Sequence, residues 1–142
     1  MERKFKSEGE IGELVRSFED ATISREDWRH AEHLVVALYY LNGNDIETAT
    51  RKMRDGIFNL LRNGFAVDLT KEMPYHETLT VFWMRTVAAF SRSKNGGGLL
   101  EKANELVRTY DKDYPLRFYT REFLFSDQAR AAFVPGDLAD AG

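Results

Sequence analysis

Apolar residues recur at spacings of three and four in five successive segments of this chain, and no segment sustains a strict apolar–polar alternation. The first pattern lines one face of a helix, whereas a half-buried strand would repeat every second residue. The fold it dictates is all-α: a bundle of about five helices with a short helical tail at the C-terminus. The first helix is expected over 9–21, striped by Ile11, Leu14, Val15 and Phe18. The second is expected over 25–42, with Ser24 as N-cap, Glu26 and Asp27 in the first turn and Asn42-Gly43-Asn44 as its stop. It is apolar on most of its circumference from Leu34 onward, which suits a central position. The third is expected over 45–62, opened by Asn44 with Glu47 three residues on, striped by Ile46, Ala49, Met53, Ile57 (or Gly56) and Leu60, and stopped by Asn63-Gly64.

A loop over 64–74 then ends at Pro74, and the fourth helix is expected over 75–92. The glycine run from Lys94 to Gly98 reads as a helix–helix connection, followed by a fifth helix over 99–110. Beyond Tyr114-Pro115 the pattern loosens, and Ser126 caps a short helix over 127–133 that Pro135-Gly136 ends. With 142 residues there is enough chain for one ordinary domain. Residues 1–142 are therefore read as a single helical domain, with 1–8 and 137–142 as loose ends.

Composition narrows the partners. Twenty basic residues against 23 acidic ones give a net charge of −3, no basis for the basic face that nucleic acid requires. There is no cysteine, which removes disulfides, thiolate zinc sites and thiol nucleophiles. The basic N-terminus has no apolar stretch behind it and is not a signal peptide, and the runs Leu34–Leu41 and Val81–Met84 are too short to span a bilayer. The expected setting is cytoplasmic, with no membrane and no nucleic-acid partner.

All three histidines fall in two short motifs. Trp28-x-His30-x-Glu32-His33-Leu34 lies on the second helix, and His30 and His33, three apart, share a face that Ala37 and Leu41 continue. Tyr75-His76-Glu77-Thr78-Leu79-Thr80 opens the fourth helix, and His76 begins a face that runs through Thr80, Trp83 and Val87. Two polar helix ends that each feed an inward face would meet in one pocket. One reading of that pocket is a metal centre, with His30, His33 and His76 as ligands and Glu77 completing the set around a divalent transition metal such as zinc, iron or nickel. The His-Glu-x-x-His and Glu-x-x-His spacings of familiar sites are absent. A second reading makes His76 and Glu77 an acid–base pair, with Trp28, Tyr40, Tyr75, Thr80 and Trp83 lining the pocket around a polar substrate. A third makes the imidazoles ties between helices, hydrogen-bonded to carboxylates and backbone carbonyls. Glu77 has a further reading as a complement to the dipole of its own helix. Arg121 and Arg130 offer either an anion site or ordinary ion pairs, and Arg51-Lys52-x-Arg54 reads as a solvated face.

Three blocks carry a resemblance. Trp28-x-His30-x-x-His33-Leu34-x-x-Ala37-x-x-Tyr40-Leu41, then Tyr75-His76-Glu77-Thr78-x-Thr80, then Ser126-x-x-Ala129-Arg130-x-x-Phe133-Val134-x-x-Asp137-Leu138 together resemble a group of small uncharacterised bacterial helical proteins. The similarity runs from about residue 22 to 138, and Pro135-Gly136 departs from the acidic residue and proline expected before Asp137. The resemblance implies that the three blocks occur together, and it supplies no reaction. The function expected from the residues is a metal-dependent or acid–base enzyme acting on a small polar molecule in a bundle pocket. The alternative is a non-catalytic domain that binds a small ligand or another protein.

Overall fold

Helix α2 (His30–Gly43) is the axle of the molecule. Leu34, Val35, Val36, Ala37 and Leu38 are all fully buried, so it is covered on every side, as a helix apolar around its circumference must be. Around it pack α1 (Glu8–Glu19), α3 (Ile46–Asn59), α4 (Glu77–Ser93) and α5 (Leu99–Thr109). A π-helical turn, Leu60–Gly64, prolongs α3, and a 3₁₀ turn at Tyr114–Arg117 leads to the short helices α6 (Arg121–Leu124) and α7 (Asp127–Ala131). The computed structural model describes residues 4–94 and 97–138, and no strand occurs among them. The all-helical architecture, five long helices and a short helical tail, is the one the apolar spacing dictates. Among the described residues no helix is long and apolar enough to cross a membrane.

Helix starts follow from side chains that satisfy otherwise unpaired N–H groups. Ser7 accepts from the Glu10 N–H, Asp45 from Thr48, and Ser126 from Ala129. Asn44, expected to open α3, instead closes α2 by donating from Nδ2 to the Tyr40 carbonyl at 2.9 Å. The start of α2 is the largest correction. Ser24 Oγ accepts from the Asp27 N–H and its carbonyl from the Trp28 N–H, so a single turn closes there. The chain then extends through Arg29 (φ −113°, ψ −176°), and the helix begins at His30. Glu32 Oε1 accepts from the Arg29 N–H at 3.2 Å, and its other oxygen pairs with Lys4 Nζ at 3.0 Å. Trp28 therefore stands ahead of the helix, stacked on Phe18 with ring centroids 4.7 Å apart.

A smaller core lies outside the main one. Tyr119, Leu124, Ala129 and Val134 are buried together against Leu79 and Phe82 of α4. The two ends are tied further out than their sequence suggests. Phe5 is buried, with its N–H donating to Asn104 Oδ1 at 2.9 Å and its carbonyl accepting from Asn104 Nδ2 at 3.0 Å. Asp137 accepts from the Thr120 N–H and hydroxyl, each at 2.7 Å. Residues 1–3, 95–96 of the glycine connection and 139–142 lie outside the described residues.

Candidate functional site

The three histidines are spent on three separate tasks. His30 donates from Nε2 to the Tyr110 carbonyl at 3.0 Å, and its ring lies 4.9 Å from that of Trp83. His33, one helical turn on, makes neither contact and packs against Trp28 at 5.7 Å. An i,i+3 pair diverges by about 60° around a helix, and here the two rings meet different partners, Tyr110 and Trp83 for His30 and Trp28 for His33. Burial, helped by the neighbouring His30, pushes the His33 imidazole down to about 4, and its enclosed Nε2 has no hydrogen-bond partner among the described residues. His76 is the N-cap of α4: Nδ1 accepts from the Leu79 N–H at 3.1 Å, while Nε2 donates to the Leu124 carbonyl at 2.7 Å. Those two bonds specify a neutral ring in one tautomer and leave no lone pair for a metal. Burial lowers its pKa, and Arg130 adds to that, against the opposing pull of the Leu124 carbonyl.

The expected convergence on one centre does not occur. Among the described residues no group of three or more histidine, aspartate or glutamate side chains is arranged to hold a metal ion. His30 and His76 instead do what the structural reading requires, each tying one helix to a backbone carbonyl of another element.

The rest of the Tyr75–Thr80 motif is equally committed. Glu77 takes a two-pronged ion pair from Arg54 of α3, Nε to Oε1 at 2.9 Å and Nη2 to Oε2 at 2.6 Å, and the Tyr75 hydroxyl donates to Oε1 at 2.6 Å. Burial alone would raise the Glu77 carboxyl, but Arg54 and Tyr75 outweigh it and hold it below the usual glutamate range. Burial and the bond to Glu77 push the Tyr75 phenol up to about 12. Thr78, fully buried, donates to the Ala132 carbonyl and accepts from the Val134 N–H, both at 3.1 Å. Thr80 donates to the His76 carbonyl one turn back. The motif thus clasps the C-terminal tail to α4.

Of the residues expected to line a pocket, Tyr75 does so. Tyr40 is buried and donates to Glu19, while Thr80 and Trp83 are buried beneath the surface of α4. The cleft that Tyr75 borders has a volume of about 710 Å³ and lies between α3, the start of α4 and α7. Phe58, Met73, Ala131 and Phe133 give it apolar walls, and Arg54, Glu77, Asp127 and Arg130 supply its charges. Met73 is half exposed at this cleft. Arg130 is half-buried, with its guanidinium carbon 5.8 Å from the centre of the Phe125 ring, and among the described residues it has no carboxylate within ion-pair distance.

Arg54 is the site residue that the sequence concealed. It belongs to a run of basic residues on a polar helix face, and nothing local distinguishes it from Arg51 or Lys52. Its role comes from Glu77, 23 residues away. Comparison of the chain with known protein families, curated proteins and solved structures finds no match to any of them.

Proposed function

We propose that this protein is a non-catalytic binding domain for a small amphipathic carboxylate, held in the cleft between α3, α4 and α7. The observation that carries this reading is Arg130. A half-buried guanidinium beside apolar walls, without a carboxylate partner among the described residues, is suited to receive a carboxylate in two-pronged geometry. Arg54, the other arginine of the cleft, is already neutralised by Glu77. Asp127, one turn before Arg130 on α7, pairs with no arginine or lysine among the described residues and offers an acceptor for an ammonium or hydroxyl group. Phe58, Met73 and Phe133 would cover the ligand's apolar body. A volume of about 710 Å³ is within the range of small-molecule sites.

The acid–base alternative draws little support from this geometry. Glu77 is held ionised by two donors, and both nitrogens of His76 are engaged by backbone groups. Neither is poised to exchange a proton near neutral pH.

Calorimetric titration with leucine, hexanoate and hexylamine tests the proposal. Leucine and hexanoate should bind and hexylamine should not. Arg130→Gln should weaken both carboxylates at least about tenfold. Asp127→Asn should weaken leucine, whose ammonium Asp127 would pair, and leave hexanoate unchanged. Failure of either carboxylate to bind at millimolar concentration, or equal affinity in the Arg130→Gln variant, would overturn it.

A further inference from the structure

A second cleft lies on the other side of Phe133, with a volume of about 530 Å³. Its walls are aromatic: Phe82 from α4, Tyr110 at the end of α5, Tyr114 and Phe118 around the 3₁₀ turn, and Phe133 from the tail. These rings support one another, edge to face for Tyr110 and Tyr114 (centroids 4.7 Å apart) and for Tyr114 and Phe118 (5.3 Å), and tilted for Phe82 and Phe118 (5.6 Å). Mutual packing of this kind fixes ring orientation, and the resulting box is formed without any ligand. Its wall also includes Arg85, whose guanidinium lies 4.3 Å from the centre of the Phe133 ring. Among the described residues Arg85 has no carboxylate partner.

We infer that this cleft binds a planar aromatic anion, its ring slotted among Phe82, Tyr114 and Phe118 and its acid group on Arg85. The choice of ring follows from the walls, which offer faces and edges to a flat π-system. The choice of charge follows from Arg85. An aromatic box by itself would also attract an organic cation, but a guanidinium in the wall repels one. The anion is an aryl carboxylate rather than a nucleic acid, because the chain carries a net charge of −3 and the slot, with the tail residues Phe133, Pro135 and Gly136 as one wall, offers a single arginine rather than a basic face. This site is distinct from the Arg130 cleft, with which it shares only Phe133.

Ligand-observed fluorine NMR with para-fluorobenzoate tests the inference on the full chain. The comparison compounds are para-fluorobenzylammonium, of opposite charge, and cyclohexanecarboxylate, acidic but not planar, the latter read by competition. Para-fluorobenzoate should bind at least about tenfold more tightly than either. Arg85→Gln should weaken it at least about tenfold, whereas Arg130→Gln should leave it unchanged. Arg85 is exposed and its loss removes one stacking contact, so the variant should retain the helical circular-dichroism spectrum. Absence of binding at millimolar para-fluorobenzoate would overturn the inference. So would equal binding of the ammonium compound or of cyclohexanecarboxylate, unchanged affinity in Arg85→Gln, or a loss produced by Arg130→Gln instead. The two arginine variants therefore separate failure at this site from failure at the α7 cleft.

Discussion

His33 is the residue most at odds with its surroundings. Its imidazole packs against Trp28 with Nε2 turned away from solvent, and among the described residues no group hydrogen-bonds to that nitrogen. Burial holds the folded ring neutral down to about pH 4, whereas the unfolded ring takes up a proton below its ordinary value of 6.5. Between those two values the unfolded chain binds more protons than the folded one, so stability falls as pH falls across that window. Above pH 6.5 both forms are neutral and the contribution to pH dependence vanishes. The full loss is on the order of 3 kcal/mol, since each tenfold difference in proton affinity between the two forms is worth about 1.4 kcal/mol. His33→Phe should abolish this part of the slope and leave stability at pH 7 equal or higher, since it removes an unpaired buried polar atom. Denaturant unfolding of both proteins at half-unit steps from pH 4 to 7 gives the comparison. His76 contributes a slope of the same sign in both, so the difference between the two proteins isolates His33. Equal slopes would refute this account of the site.

At the scale of elements, the apolar stripes fixed the five long helices because burial selects the residues that form them. Ile11, Leu14, Val15 and Phe18 all face the core of the bundle. What stayed hidden were events decided by partners distant in sequence. Ser24 has the chemistry of an N-cap and does accept from Asp27, yet the turn it starts stops at Trp28 because that indole stacks on Phe18 of another helix. The candidate site was legible in the same partial way. Tyr75, Glu77 and Arg130 were singled out by type and motif, while the Arg54 ion pair and the separation of the histidines depended on the packing of α3, α6 and α5. The α1–α3 contact shows how tight that packing is. A Cβ on Gly56 would lie 2.3 Å from Phe18 Cε2, and Phe18 cannot retreat because Trp28 stacks against it. Gly56→Ala gains helix propensity of roughly 1 kcal/mol but forces the phenyl ring off its place, at a cost of about 1–3 kcal/mol. We expect net destabilisation, measured as a lower melting temperature together with a changed near-ultraviolet spectrum from Trp28. A rise in melting temperature would show that the interface has slack.

Across the whole molecule, the tail is the element that makes both clefts. Phe133 is a wall of each, and it sits between two backbone groups, the Ala132 carbonyl and the Val134 N–H, that a single hydroxyl satisfies from α4. Around that clasp lie the bonds from His76 to Leu124, from Tyr119 to the Val134 carbonyl and from Thr120 to Asp137. The motif that reads as catalytic in sequence is thus one half of a lock whose other half is the Ser126–Leu138 block. Thr78→Val is nearly isosteric and removes only the hydroxyl, leaving the buried Val134 N–H unpaired at a cost of about 1–3 kcal/mol, while the carbonyl of exposed Ala132 can turn to water. Because the remaining bonds still anchor α6 and Asp137, the loss should be local: faster amide hydrogen exchange at Val134 with little change in α1, α2 or α5. Binding of hexanoate at the α7 cleft and of para-fluorobenzoate at the aromatic cleft should then weaken together, although Thr78 lines neither. Unchanged exchange at Val134, or a lowered melting temperature with both affinities intact, would separate the clasp from the clefts and leave Thr78 as a packing residue alone.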